Sequence, residues 1–348
     1  MLLTVAVEGL RPTLPDARFL LRDHGVNLPE LGPDVIPTGI DAILDDRTHS
    51  RAYRLTLFTR RVSSLLRQCG WLIYGGGTVF HRSGGLASLT LQWLICRLAR
   101  LLGVRVAALG VGINDLAAGP GRWLLHDIIK RCELFLVRDE AALEQCAGTK
   151  ARLTGDLVFA WRSLRIADTH RPPGPSVGIA LTVSPMASHA TVSALAEAVR
   201  RWQERGHRVV FLVFQRNATM TDDATVFAAI NRELPGTRAP VEIRDLAADA
   251  SMIVDAFADI DVVCGMRFHS LVLSAMLERP FVGIAHDHKI SEICRQFGMP
   301  CRNVATLDGD DLARLAEDTR RMVPDASVLG RSRELAEDNF TAFAALAP

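Results

Sequence analysis

The sequence predicts an α/β protein with two separate parallel sheets, on three observations. Apolar strand-like runs alternate with helical stretches between Leu86 and Arg138, which is the rhythm of parallel βαβ units. The same rhythm returns after Ser176. Between the two stands RIADTHRPPGP, Arg165 to Pro175, whose three prolines and glycine suit neither a helix nor a central strand. A chain of 348 residues is long for one core, so two domains are expected, facing across a cleft. Their bounds are 1–168 and 176–330, with 331–348 as a terminal helix.

Taken in order, the chain opens with helical periodicity in LLTVAVEGLRPTL, limited in length by Pro12, and continues into a strand-like ARFLLR. A domain of this kind ordinarily opens with a strand, and none precedes this helix; the first N-terminal strand is therefore expected to be missing. WLIY then reads as a strand running into GGGTVFHRSGG, followed by the helix LASLTLQWLICRLARLLG. VRVAALGVGI and LFLVRD are strand-like, with GRWLLHDIIKRC helical between them. In the second half SVGIALTV, HRVVFLVFQ, DIDVVCG and FVGIA are the strands, with TVSALAEAVRRWQERG and DDATVFAAINREL among the helices. SRELAEDNFTAFAAL closes the chain as a helix able to pack on either domain.

Composition narrows the function classes. Forty Lys and Arg oppose thirty-nine Asp and Glu, a net charge of +1, so no global field draws the chain to nucleic acid and any anion site must be local. Lysine occurs only at Lys130, Lys150 and Lys289, which fits a coding bias toward arginine. Seven cysteines stand singly with no CxxC pair, a pattern of reduced, buried thiols rather than of disulfides or zinc. Neither a membrane-length apolar stretch nor a signal-peptide layout is present, so a cytoplasmic location is expected.

Strand ends in open α/β sheets face the crevice where ligands bind, which directs attention to six stretches. Gly75, Gly76 and Gly77 follow a strand, with His81 just beyond; they allow a sharp turn and close approach of a ligand to the main chain, or mark a tight turn alone. The stretch is neither GxGxxG nor a phosphate loop. GVGIN, Gly110 to Asn114, ends a second strand. Arg138 and Asp139 leave a third; Asp139 fits a helix cap, and Arg138 either binds an anion or pairs with Asp156. Gln215 and Arg216 end a fourth, with Asp222 and Asp223 as caps of the next helix.

GMRFHS, Gly265 to Ser270, is the strongest of these. If extended, it puts Arg267 and His269 on one side and Phe268 on the other, anchoring the turn in the core. Arginine supplies a permanently charged fork for carboxylate or phosphate, and histidine exchanges a proton near neutrality. A histidine satisfied by backbone beside a salt-bridged arginine is the competing reading. In His286-Asp287-His288-Lys289 no third metal ligand is evident, so an anion-binding loop or helix capping is expected there rather than a metal site.

GGGTVFH, GVGIN, VRDEAALE, TGDLVFA, FLVFQ, GMRFHSLVLSAMLERP and DHKISEICRQFGMP together resemble the polysaccharide pyruvyl transferase family. Their order and spacing extend from Trp71 to about Pro300, roughly two thirds of the chain. GMRFHS resembles that family's G-x-R-x-H signature and DHK its D-x-K element. The resemblance implies two Rossmann-like domains arranged as in type B glycosyltransferases, and transfer of pyruvate from phosphoenolpyruvate onto two hydroxyls of a sugar. It implies His269 as general acid and Arg267 as anion clamp, with Lys289, Arg216, Gln215 and Arg138 as further substrate-binding candidates. Gly75, Gly76, Gly77 and His81 would then face the acceptor from the N-terminal domain. Members usually open with a strand and a loop resembling N-x-G-D, which this text lacks.

The chemistry needs no metal and no cofactor, phosphoenolpyruvate being the donor substrate. The implied partner is a sugar or lipid-linked oligosaccharide, in exopolysaccharide, cell-wall or glycolipid assembly, with peripheral contact to the inner membrane conceivable and no amphipathic anchor evident. Two other readings stay open: a type B glycosyltransferase using a nucleotide sugar, and a catalytically idle family member that binds a glycan or a protein.

Overall fold

The structure is a computed structural model that describes residues 1–21, 31–40, 43, 48–82, 85–164, 178–184, 187–215, 222–234, 241–247 and 252–347. The chain divides into two units, residues 1–162 with 331–348, and residues 163–330. The proline-rich stretch expected as a linker, 165 to 175, lies outside the described residues.

In the first unit, β1 (Phe19–Leu21) and β2 (Val35–Pro37) pair in parallel, and among the described residues only with each other. A second sheet holds β3 (Trp71–Gly75), β4 (Thr78–His81), β5 (Arg105–Asn114), β6 (Leu134–Val137) and β7 (Arg152–Leu153), in the order β3-β5-β6-β7. The long β5 takes β3 along its first half and β4 along its second, Gly75 opposite Leu109 and Thr78 opposite Gly112. Gly76 and Gly77, at φ 60° and 66°, make the jog between the two short strands. The next helix is Ala87–Leu101, close to the start at Leu86 that its sequence suggested. Among the described residues no strand precedes the opening helix Leu2–Leu10, and none joins β1 to β3.

Helices Arg51–Leu66, Ala87–Leu101 and Gly119–Arg131 cover one face of the larger sheet. Phe58, Val62, Leu89, Cys96, Leu125 and Ile128 form a buried core with Val106, Ala108 and Phe135 of the strands. The terminal helix, Ala326–Ala344, belongs with this unit from Arg331 onward and starts earlier than its sequence suggested. Its buried Asn339 accepts from Thr154 Oγ1 at 3.0 Å and donates to the Gly155 carbonyl at 3.1 Å. The Phe340 ring fills the space where Gly9 lacks a side chain.

The second unit is one parallel sheet of six strands: β8 (Gly178–Thr182), β9 (Arg208–Val213), β10 (Glu242–Asp245), β11 (Val262–Gly265), β12 (Phe281–Ala285) and β13 (Cys301–Asn303). Its spatial order is β10-β9-β8-β11-β12-β13. Ile179, Leu181, Phe211, Val262 and Ile284 are fully buried, which explains why these strands read as unbroken apolar runs rather than alternating ones. Leu195, Val199, Trp202, Phe227, Ile230 and Leu312 pack against them from the helices. Trp202 is satisfied inside this core by donating Nε1–H to the Ala313 carbonyl at 3.2 Å.

Candidate active site

Strand order in the second unit runs outward from β8 to β10 on one side and from β11 to β13 on the other, so the chain reverses direction between β8 and β11. Connections leave a switch point of this kind on opposite faces, and the carboxyl ends of the two strands are left as the floor of a crevice. Arg267 follows β11 at that point, Gln215 follows β9, and His286 and Lys289 follow β12.

The turn after β11 is fixed before the arginine is reached. Gly265 pairs with Thr182, and Met266 N–H donates to the Thr182 carbonyl at 3.1 Å. A Cβ on Gly265 would stand 2.6 Å from Leu271 Cδ2 and 2.8 Å from Ser270 Oγ, so only glycine lets the helix return this closely. Ser270 Oγ lies 2.8 Å from Thr182 Oγ1 and donates to the Arg267 carbonyl at 2.7 Å. Met266 and Leu271 are fully buried and hold the turn in the core. Phe268, expected in that role, is half-buried.

Arg267 is the N-cap residue, in extended backbone, of the helix Phe268–Met276. Its Nε–H donates to the Val183 carbonyl at 2.9 Å and to Asp223 Oδ1 at 3.1 Å, its Nη1 donates to Gln215 Oε1 at 2.8 Å, and its Nη2 donates to Asp223 Oδ1. Among the described residues this leaves one N–H on each terminal nitrogen for a further acceptor. Asp223 has no exposed surface, and its Oδ2 accepts from the backbone N–H groups of Phe214 at 2.9 Å and Gln215 at 3.0 Å. Burial pushes the Asp223 carboxyl above its ordinary range, against the opposing pull of Arg267 and the two N–H groups.

The sequence reading made both Asp222 and Asp223 helix caps. Only Asp222 is one, accepting from Thr225 N–H at 2.9 Å, while Asp223 is the buried anchor of the site arginine. The doubled acid was the available signal, since one carboxylate suffices for a cap. His269 is half-buried in the first turn of the helix, its ring edge-on to Phe268 at 5.4 Å between centroids. The strand alternation that was to align it with Arg267 ends at Arg267, where the helix takes over.

On the neighbouring strand end, His286 Nδ1 is buried and has no hydrogen-bond partner among the described residues. Burial holds this imidazole below its ordinary pKa, helped by the positive charges of Arg267 and Lys289 and opposed by Asp287. Asp287 Oδ1 accepts from Lys289 N–H at 3.1 Å and Ile290 N–H at 3.3 Å, capping the helix His288–Phe297. Among the described residues no group of three His, Cys, Asp or Glu side chains is placed to hold a metal ion. Arg216 lies outside the described residues.

The candidates of the first unit gather at the carboxyl ends of β3 to β6. Arg138, with a side chain 4% exposed, donates to Asp139 at 3.1 Å, Asp156 at 3.0 Å and Thr78 Oγ1 at 3.2 Å. It lies flat against Gly112, where a Cβ would come within 2.9 Å of the guanidinium. Of the two readings open for it, anion binding or a pair with Asp156, the structure shows the pair, and Arg138 is built in as a clamp between β4, β6 and the turn at Asp156. The side of Gly76 and Gly77 that a side chain would occupy is taken by Leu2 of the opening helix. His81 is half-buried and pairs across to Asn114, and its Nδ1 has no hydrogen-bond partner among the described residues.

A profile of the polysaccharide pyruvyl transferases matches residues 27–288. No curated protein sequence matches the chain. Among solved structures, S. aureus MnaA with UDP is 11% identical at a TM-score of 0.60, over 99% of this chain and 92% of that one. A glycosyltransferase from Rickettsia africae is 9% identical at 0.55, over 97% and 89%. Anabaena Alr3699/HepE in complex with UDP-glucose is 11% identical at 0.52, over 92% and 83%. At such identities the likeness is one of fold: two Rossmann-like, parallel-sheet domains of the type B glycosyltransferase kind.

Proposed function

The chain belongs to the polysaccharide pyruvyl transferase family, and from that footing we propose that it moves pyruvate from phosphoenolpyruvate onto two hydroxyls of one sugar, forming a cyclic ketal. The product belongs to an exopolysaccharide, a cell-wall polymer or a glycolipid. The observation that carries this reading is Arg267, held in the switch-point crevice by the buried Asp223, with His269 two positions further on.

Phosphoenolpyruvate joins a carboxylate and a phosphate on a small frame, which suits a few fixed cationic donors better than a broad basic surface. Arg267 offers its remaining N–H bonds to one of the two anionic groups. Gln215, whose Oε1 already accepts from Arg267, offers its amide N–H to the same group. Lys289 supplies a second positive charge, and the N-terminus of the helix Phe268–Met276 adds its partial charge.

His269 donates a proton to the methylene carbon of the enol, and positive charge develops at the neighbouring carbon. A sugar hydroxyl attacks that carbon and loses its proton, inorganic phosphate departs with the carbon–oxygen bond pair, and the second hydroxyl closes the ring with loss of its own proton. One hydroxyl proton restores His269 and the other leaves on the departing phosphate, so the count balances and the imidazole serves in turn as acid and base. His286, whose pKa burial lowers, is a second group able to relay one.

The test is acceptor-dependent release of phosphate from phosphoenolpyruvate over a panel of galactosides, glucosides and N-acetylmannosaminides, wild type against His269→Ala. Release that disappears in the variant supports the transferase and excludes an idle binder. The UDP and UDP-glucose in the neighbouring structures favour a nucleotide-sugar transferase as the second reading. A thermal shift with UDP-sugars and none with phosphoenolpyruvate would turn the assignment that way.

A further inference from the structure

The three helices that cover the first unit's sheet have an outer surface unlike a solvated one. Their buried stripes are Phe58, Val62 and Leu66 on the first, Leu89 and Cys96 on the second, Leu124 and Ile128 on the third. Helical periodicity places Tyr53, Leu57, Leu94, Leu101 and Trp123 opposite those stripes. All five are exposed, Trp123 at 59% and Leu101 at 82%. Single exposed apolar side chains are ordinary on a soluble protein, but five on the outer side of one helix layer make a patch.

The charges around them are mostly positive, the acids Asp127 and Glu133 being paired with Arg97 and Arg131 and with Arg100. Arg60 and Arg67, Arg97 and Arg100, and Arg122 and Lys130 are exposed on the same three helices or at their ends. Neither Arg51–Leu66 nor Ala87–Leu101 contains an aspartate or a glutamate, in a chain whose acids and bases otherwise nearly balance. Where the second and third helices end, Arg100, Lys130, Arg131 and Lys150 surround an open hollow of about 580 Å³ in which Glu133 is the lining acid. Two of the chain's three lysines stand there. The hollow is at the amino end of β6, the end of the sheet opposite the candidate residues of this unit.

We propose that this face docks on an anionic phospholipid bilayer. Tryptophan, tyrosine and leucine with arginine and lysine between them are the groups that settle at the boundary of headgroups and acyl chains, and two helices without acids lessen repulsion from lipid phosphates. The basic hollow accepts a phosphate-bearing headgroup. No described helix is long and apolar enough to cross a membrane, so the attachment is to the surface. The assignment is independent of which donor the second unit uses.

Vesicle flotation of the full chain tests it, with phosphatidylglycerol in phosphatidylcholine set against phosphatidylcholine alone. Binding to the anionic vesicles is expected to be at least about tenfold tighter and to weaken as salt is raised. Arg60→Glu with Lys130→Glu is expected to reduce it by roughly tenfold or more, both side chains being exposed and outside the core. Brominated lipids are expected to quench tryptophan emission in the wild type and much less in Trp123→Phe, a readout that needs no destabilising change. No preference for anionic vesicles, or binding unchanged in the charge reversals, overturns the proposal. So does a solution dimer that dissociates on Leu94→Ser with Leu101→Ser, which would assign the face to a second copy.

Discussion

Asp223 grips Arg267 through both Nε and Nη2, with its other oxygen closed off by two backbone N–H groups from the loop after β9. The carboxylate thereby joins the ends of β9 and β11 across β8, which itself contributes the Val183 carbonyl. An arginine held at three points presents its outer edge in one orientation, which is the condition for electrostatic preorganisation.

Asp223→Asn removes the charge and turns amide hydrogens toward donors. Breaking a buried pair in this way is expected to cost roughly 3–5 kcal/mol of stability, measurable by urea unfolding. Arg267→Lys keeps a charge but cannot reach Val183, Asp223 and Gln215 together. The fold should survive while phosphoenolpyruvate turnover falls by about a hundredfold or more.

His269→Ala should lower turnover by about 10²–10⁴-fold, the range of a lost general acid, with the melting temperature little changed because the side chain is only half-buried. A full loss of folded protein instead would mean the histidine is a core group.

His286 gives a pH signature. Its folded pKa lies below the ordinary 6.5, so the unfolded chain takes up the proton first. Stability should therefore fall as pH drops through about 6.5 and stop falling, as far as this group is concerned, below the folded pKa. Urea unfolding over that window should show a shallower fall for His286→Asn than for the wild type.

Gly155→Ala should loosen the terminal helix. The added methyl would stand 2.8 Å from the Ala336 nitrogen and 3.0 Å from the Leu335 carbonyl carbon, backbone atoms that cannot rotate away. A loss of about 1–3 kcal/mol is expected, with earlier proteolysis after Gly330 as the check.

Long apolar runs between helical stretches were enough to read both parallel sheets, because strands buried on both faces need an apolar side chain at every position. GMRFHS was legible for the same local reason: a strand end meeting a helix start is contiguous in sequence. Asp223 was not, since forty-four residues and two strands separate it from Arg267 and nothing in TDDATVF shows which acid turns inward. Phe268 misled because the helix start is set by hydrogen bonds to β8, which the local text does not contain.

By itself, then, the sequence determined the α/β class, the order of strands along the chain, and the pairing of an arginine with a histidine at one strand end, all properties of residues close together in the chain. The tertiary structure alone decided that Asp223 anchors Arg267, that Arg138 is spent on Asp139, Asp156 and Thr78, that His286 Nδ1 is buried without a hydrogen-bond partner among the described residues, and that the terminal helix returns to the first unit. Those outcomes depend on which strands become neighbours and which polar groups lose water when they do, and burial decides the fate of a charge only once the sheet has been assembled.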